Sequence, residues 1–168
     1  MKLFPSLYVF LDKLINAGGI AAGVLIILTT FMTTFDVASR AVFNQPTIWA
    51  TELSIYAIIG SCFLGSAYAV RSYSHITVDL LVNMLSDKMK KVFAYVSNVL
   101  GLIFSLIFTI YGFEHVLGTY KLGTTSSSLL RIPMYLPEMF LPLGGILLCF
   151  AFILQIIDGG MHKGGGHL

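Results

Sequence analysis

Four long runs of apolar residues divide the chain, and none of them contains Asp, Glu, Lys or Arg. They cover residues 14–35, 53–70, 92–113 and 139–157. At about 1.5 Å of rise per residue, each run is close to the roughly 30 Å needed to cross the hydrocarbon core of a bilayer. A chain in lipid must satisfy its backbone groups internally, so we predict four transmembrane helices, at about residues 11–40, 48–71, 88–118 and 134–158.

The composition agrees with a membrane location. Of the 168 residues, 57% are hydrophobic and only 11% are charged, whereas a soluble domain carries roughly a quarter charged residues. We therefore expect an all-α integral membrane protein with one four-helix domain over residues 1–160. The glycine-rich end, residues 161–168, is predicted to be a flexible tail.

Two shorter stretches have an amphipathic pattern and are expected to lie along the membrane interface. Between His75 and Asp87, apolar residues recur at helical spacing opposite a polar face. Residues 3–11 form a broader apolar surface that contains Pro5. We expect both stretches to be interfacial helical segments beside the four spans.

The basic residues are unevenly divided between the two sides of the predicted bundle. Seven would share one side: Lys2, Lys13, Arg71, Lys88, Lys90, Lys91 and Lys163. The other side would hold Arg40, Lys121 and Arg131. Because short cytoplasmic loops are enriched in Lys and Arg, this division predicts that both termini lie in the cytoplasm.

The spans lack the groups that transport or catalysis normally requires. Ion-coupled transporters place ionisable residues or broken helices near the midplane, and no ionisable residue lies there in this chain. No catalytic triad is indicated, and we expect no catalytic residues, metal ligands or cofactor in this chain. A membrane anchor or haem-bearing subunit of a respiratory complex is the alternative, although His75 and His115 would lie about 30 Å apart and could not share one haem iron.

A polar and aromatic hinge, FDVASRAVFNQPTIWATELS, separates the first two spans. Asp36 and Arg40 are four residues apart, so they lie on one helix face and can pair. A proline suits the turn, a tryptophan suits the interface, and an acidic residue suits the positive first turn of the second helix. The hinge residues that are candidates for partner contacts are Asp36, Arg40, Asn44, Pro46, Trp49 and Glu52.

Small residues recur at every fourth position of the second span, which places them on one helix face. This helix-two stripe consists of Ala57, Ser61, Gly65 and Ala69. Small residues let helix backbones approach closely in membranes. The stripe therefore predicts close packing, either within this chain or against another membrane protein.

Three segments of the chain carry motifs that occur together in one protein family. The first is the hinge, from Arg40 to Glu52. The second is GSAYAVRSYSHITVDLL, with Arg71, His75 and Asp79 on the predicted cytoplasmic side. The third is SSSLLRIPMYLPEMFLPLG, which leads to Pro142, Leu143 and Gly144. In this order, the segments resemble the small membrane subunit, DctQ type, of tripartite ATP-independent periplasmic (TRAP) transporters, in which the second segment is the cytoplasmic family motif. The resemblance covers nearly the whole chain.

The resemblance implies a noncatalytic permease subunit that braces a large elevator subunit. The large subunit is expected as a separate chain that carries the sodium and substrate sites. A soluble periplasmic protein would deliver the substrate, and an outward loop with Lys121, Ser127 and Arg131 is the candidate docking surface for it. We expect an organic acid of the sialic acid or dicarboxylate class, placing sialic acid first although no residue here selects it. Membrane lipids are the other expected partners, and nucleic acid is not expected.

Overall fold

The computed structural model describes residues 5–73 and 87–158. Within them, four helices are long and apolar enough to cross a membrane. They are α1 (Pro5–Phe43), α2 (Ile48–Tyr73), α3 (Asp87–Leu122) and α5 (Phe140–Ile157), with a short α4 (Tyr135–Glu138) directly before α5. Three expectations fall outside the described residues: the interfacial segment at residues 75–87 apart from Asp87, the motif residues His75 and Asp79, and the tail at 161–168. Asp87 is the first residue of α3.

The first helix is longer than the sequence pattern predicted. It runs without a break for 39 residues, which corresponds to about 58 Å at the usual rise of an α-helix. From Pro5 onward, the residues for which we expected an interfacial segment near the N-terminus form the first turns of α1. Pro5 is tolerated there since the first turn of a helix needs no amide donor. A helix of this length extends beyond the roughly 30 Å hydrocarbon layer.

The helices form an open row in the order α1, α2, α5 and α3. Helix α1 packs along α2, α2 packs on α5, and α3 packs on the other side of α5, with a smaller contact between α1 and α5. Ile15, Ala67, Leu147, Ala151 and Leu154 form the buried apolar cluster where α1, α2 and α5 meet. Among the described residues, α5 is therefore the central helix.

Two adjacent glycines allow α5 to hold a neighbour on each side. A Cβ atom on Gly144 would lie 2.6 Å from the carbonyl oxygen of Phe63 in α2. A Cβ on Gly145 would lie 2.4 Å from the Oγ1 atom of Thr109 in α3. Successive residues of a helix point about 100° apart, so this glycine pair serves two interfaces at one level of the bundle.

The outer faces of α1 and α3 are rich in large apolar side chains. Phe31 in α1 is 71% exposed and Phe104 in α3 is 64% exposed. Soluble monomers rarely leave large contiguous surfaces of this kind uncovered. In a membrane protein such faces contact lipid or the helices of a partner.

Candidate functional site

The ionisable groups that the structure brings together lie near the two ends of the long helices. We call the end that carries residues 44–47 and 123–134 the hinge end. The opposite end carries the start of α1, the end of α2 and Asp158. Between them, polar side chains such as Thr29, Thr33 and Ser105 donate hydrogen bonds to carbonyl oxygens of their own helices.

The hinge turns at Asn44, which has a positive φ of 53°. Its amide donates to the carbonyl of Arg40 at 3.1 Å and so caps the end of α1. Asparagine tolerates this left-handed conformation better than most residues. Pro46 follows in the exposed turn, two residues before α2 begins.

The Asp36 carboxylate fastens the hinge turn to α1. Its Oδ1 atom accepts hydrogen bonds from the amide and the hydroxyl of Thr47, at 2.8 and 2.5 Å. Its Oδ2 atom lies 2.7 Å from the Arg40 guanidinium, which confirms the predicted pairing. Asp36 is only 7% exposed, so its charge is balanced by Arg40 and by donors from the start of α2.

Glu52 has a different environment from the one its position in the sequence predicted. It lies in the second turn of α2, and not in the positive first turn. Its carboxylate accepts hydrogen bonds from Tyr56 at 2.7 Å and from the hydroxyl of Ser128. The hydroxyls of Ser126 and Ser128 lie 3.0 Å apart. The serine run, which the sequence marked only as a loop, thus closes over a carboxylate that is 8% exposed.

The loop between α3 and α4 folds back on itself as a short ribbon. The amide of Ser126 donates to Ile132 at 2.9 Å, and the amide of Met134 donates to Thr124 at 3.0 Å. These bonds pair Thr125 with Pro133 in an isolated antiparallel bridge. We call residues 124–128 and 130–134 together the loop ribbon.

An open groove of about 650 Å³ lies between the loop ribbon and the hinge. Arg40, Pro46 and Thr51 contribute to its hinge side, and residues 124–128 contribute to its ribbon side. The predicted docking residues Lys121, Ser127 and Arg131 are all exposed at this end. Of these, only Ser127 lines the groove.

Trp49, also a hinge residue, lies on the first turn of α2. It is 44% exposed, and its ring centroid is 5.9 Å from that of Phe35. This aromatic pair is consistent with the interfacial position predicted for Trp49.

The opposite end is organised around the Arg71 side chain, which is 6% exposed. Its guanidinium lies 3.0 Å from the carboxylate of Asp12 and 2.7 Å from that of Asp158. It also donates to the hydroxyl of Tyr8 at 2.5 Å and lies over the Tyr8 ring. This Arg71 cluster ties α1, α2 and the end of α5 together. The sequence singled out Arg71 but missed its partners, which are far from it along the chain.

The helix-two stripe is divided between packing and exposure. A Cβ on Gly65 would lie 3.1 Å from the Cβ of Ala22 in α1, so this glycine serves a contact within the chain. Ser61 is buried, Ala57 is half-buried and Ala69 is exposed. The structure therefore shows internal packing at the level of Gly65, and the stripe does not form one continuous buried face.

Among the described residues, His115 lies beside an acidic side chain. The Nε2 atom of His115 lies 3.5 Å from a carboxylate oxygen of Glu138. In the described parts of the chain, no group of three or more His, Cys, Asp or Glu side chains is arranged to hold a metal ion.

Comparison of the sequence with known protein families gives a match. Residues 29–159 match the family model described as "Tripartite ATP-independent periplasmic transporters, DctQ component". This segment includes the hinge, the loop ribbon and most of the four spans.

Individual relatives carry related names. The chain is 33% identical over 117 residues to the C4-dicarboxylate TRAP transporter small permease protein DctQ of Rhodobacter capsulatus, covering 70% of this chain and 51% of that protein. It is 25% identical over 158 residues to the protein of the same name from Vibrio cholerae, covering 80% and 68%. A 56-residue segment, 33% of this chain, is 36% identical to 9% of the sialic acid TRAP transporter permease protein SiaT of Haemophilus influenzae. The chain thus spans about half the length of its relative from R. capsulatus.

Proposed function

The chain belongs to the DctQ-component family of TRAP transporters, and from this premise we propose that it is the small permease subunit of a sodium-coupled organic-acid transporter. In this proposal it is not an enzyme and does not form the translocation path. It braces a large elevator subunit in the bacterial inner membrane.

The positions of the charged residues support the proposed role as a brace. Among the described residues, the ionic clusters built on Asp36 and Arg71 lie towards the ends of the helices, where they fasten helices to one another. Transporters that hold ions and substrate place such groups near the midplane, often at broken helices. A unit whose charges lock its own helices is suited to be a fixed support. Sodium and substrate sites are accordingly assigned to the large subunit.

The exposed apolar faces of α1 and α3 support a lateral partner. The central helix α5 is covered on two sides, by α2 and α3, whereas the outer helices of the row have uncovered faces. We assign part of this surface to the large membrane subunit and the remainder to lipid.

The hinge end is assigned to the periplasm and to docking of the substrate-binding protein. Lys121 and Arg131 are exposed near the loop ribbon, and Arg131 has a positive φ of 45° that helps to form the tip of the ribbon. Exposed charges of one sign mainly steer and orient an oppositely charged partner. The substrate-binding protein is therefore expected to present an acidic patch.

The substrate is assigned only as an organic acid. The names of the relatives include C4-dicarboxylate and sialic acid transporters. No group in this chain is proposed to bind the transported acid, so the choice between these classes rests with the large subunit and the binding protein.

Purification and reconstitution test the proposal. The chain should copurify with a large membrane subunit, and proteoliposomes that hold both should show sodium-dependent uptake when the binding protein is added. Changing Lys121 and Arg131 together to glutamate should leave the membrane complex intact but raise the binding-protein concentration for half-maximal uptake, most clearly at low salt. A Lys13→Glu variant, altered at the opposite end, is the matched control. A visible haem spectrum in the purified material would favour the respiratory alternative.

A further inference from the structure

The two strands of the loop ribbon expose different outer edges. Thr125 and Pro133 lie opposite each other, and the hydrogen bonds that pair the strands come from the residues on either side of them. In an antiparallel pair, residues in this position direct their own backbone groups away from the partner strand. The backbone groups of Thr125 and Pro133 therefore define the two outer edges.

Only the Thr125 edge is free to accept another strand. Proline has no amide hydrogen, and the carbonyl of Pro133 already accepts the amide of Leu136 at 3.2 Å. Thr125 is exposed and lines the groove. Among the described residues, its amide and carbonyl have no hydrogen-bond partner. Ser127, two residues further along, also lines the groove.

The exposed charges around this edge are mainly positive. Lys121 and Arg131 are exposed, and the side chain of Arg40 is 54% exposed at the groove. Asp36 and Glu52 are buried and occupied by donors from the chain itself. Glu114 is an exposed carboxylate on α3, but it does not line the groove. An acidic ligand is complementary to this arrangement.

We propose that the groove receives an extended, acidic segment of the periplasmic substrate-binding protein, which pairs with the outward backbone amide and carbonyl of Thr125. This inference rests on the proposed function and specifies how its docking step occurs. Main-chain pairing with an exposed edge supplies affinity, and the flanking side chains supply selectivity. Thr125 offers only one backbone donor and one acceptor, so this pairing is weak, as repeated delivery of substrate requires.

A free organic anion is the competing ligand for the same groove. A small anion would have to bind inside the groove, where Arg40 is already paired with Asp36 at 2.7 Å and Glu52 is part of the lining. An acidic segment can also reach Lys121 and Arg131, which are exposed outside the groove. A peptide segment can use the backbone edge without displacing either contact.

The first test removes the backbone donor. Thr125→Pro deletes the amide hydrogen, whereas Thr125→Val keeps it and removes only the hydroxyl. In the reconstituted two-subunit complex, Thr125→Pro should weaken equilibrium binding of the fluorescently labelled binding protein by about tenfold. Thr125→Val should stay within about twofold of the unaltered complex. Equal affinities for the two variants would overturn strand addition.

A second test does not depend on whether the proline variant folds. A photo-crosslinking amino acid at Ser127, in an otherwise unaltered complex, should attach to one acidic segment of the binding protein. The same group at Leu129, which is 84% exposed on the loop outside the groove, should attach to it less. Crosslinks from position 127 only to the large subunit or to lipid would refute the inference.

The remaining outcomes separate this inference from the proposed function. Binding of the free organic acid by the complex without the binding protein, abolished by Arg40→Gln, would identify an anion site instead and overturn the inference. Normal copurification and uptake, with no effect of Thr125→Pro on binding, would overturn strand addition alone. Failure to copurify with any large membrane subunit would overturn the proposed function itself.

Discussion

Replacing Gly144 with alanine should loosen the centre of the helix row. The new Cβ would lie 2.6 Å from the carbonyl oxygen of Phe63. That oxygen belongs to the backbone of α2, so it cannot move aside by a side-chain rotation. The helices must separate, or one of them must shift along the other.

The expected magnitude follows from two opposing effects. Overpacking costs about 1–3 kcal/mol, whereas Gly→Ala in a helix interior gains up to about 1 kcal/mol. Gly23 in α1 is the matched control because a Cβ there would meet no atom within 4 Å. Gly144→Ala should therefore lose about 1 kcal/mol while Gly23→Ala gains about 1 kcal/mol, a difference of roughly 2 kcal/mol.

The assay is unfolding of the isolated chain from mild detergent by titration with SDS, followed by helical circular dichroism. Gly65→Ala should fall between the two variants, since its Cβ would lie 3.1 Å from a small side chain, that of Ala22. Equal stabilities for Gly144→Ala and Gly23→Ala would refute the close approach of α5 to α2.

Two further predictions concern the two ends of the helices. Arg71→Met should lower the free energy of unfolding by about 2 kcal/mol, as measured by SDS unfolding. This is less than the loss for a fully buried ion pair, because Asp12 and Asp158 are partly exposed. A stability equal to that of the unaltered chain would show that the Arg71 cluster is dispensable. Single cysteines at Ser127 and Ser86, in a background without Cys62 and Cys149, should report orientation: an impermeant thiol reagent outside intact cells should label position 127 only, and labelling of position 86 alone would reverse the topology.

The local features of this protein could be read from the sequence. The four spans follow from uninterrupted apolar runs long enough to cross a bilayer. The Asp36–Arg40 ion pair follows from a spacing of four residues in one helix. The family followed from motifs around Arg40, Arg71 and Gly144, and the match over residues 29–159 confirmed it.

The long-range contacts could not be read in this way. The Ser128 hydroxyl that covers Glu52 is 76 residues away from it, and the carboxylates on Arg71 are 59 and 87 residues away. No local pattern connects such positions, so only the packing of the helices brings them together.

The order of the helices also depended on the tertiary structure. In a soluble helix, a polar face marks the side turned to solvent and so reveals the buried side. In a membrane helix, lipid and protein contacts are both apolar, so hydrophobic periodicity does not distinguish them. The sequence therefore determined that the chain holds four segments long and apolar enough to cross a membrane. Close contacts such as Gly144 against Phe63 and Gly145 against Thr109 decided that α5 lies at the centre.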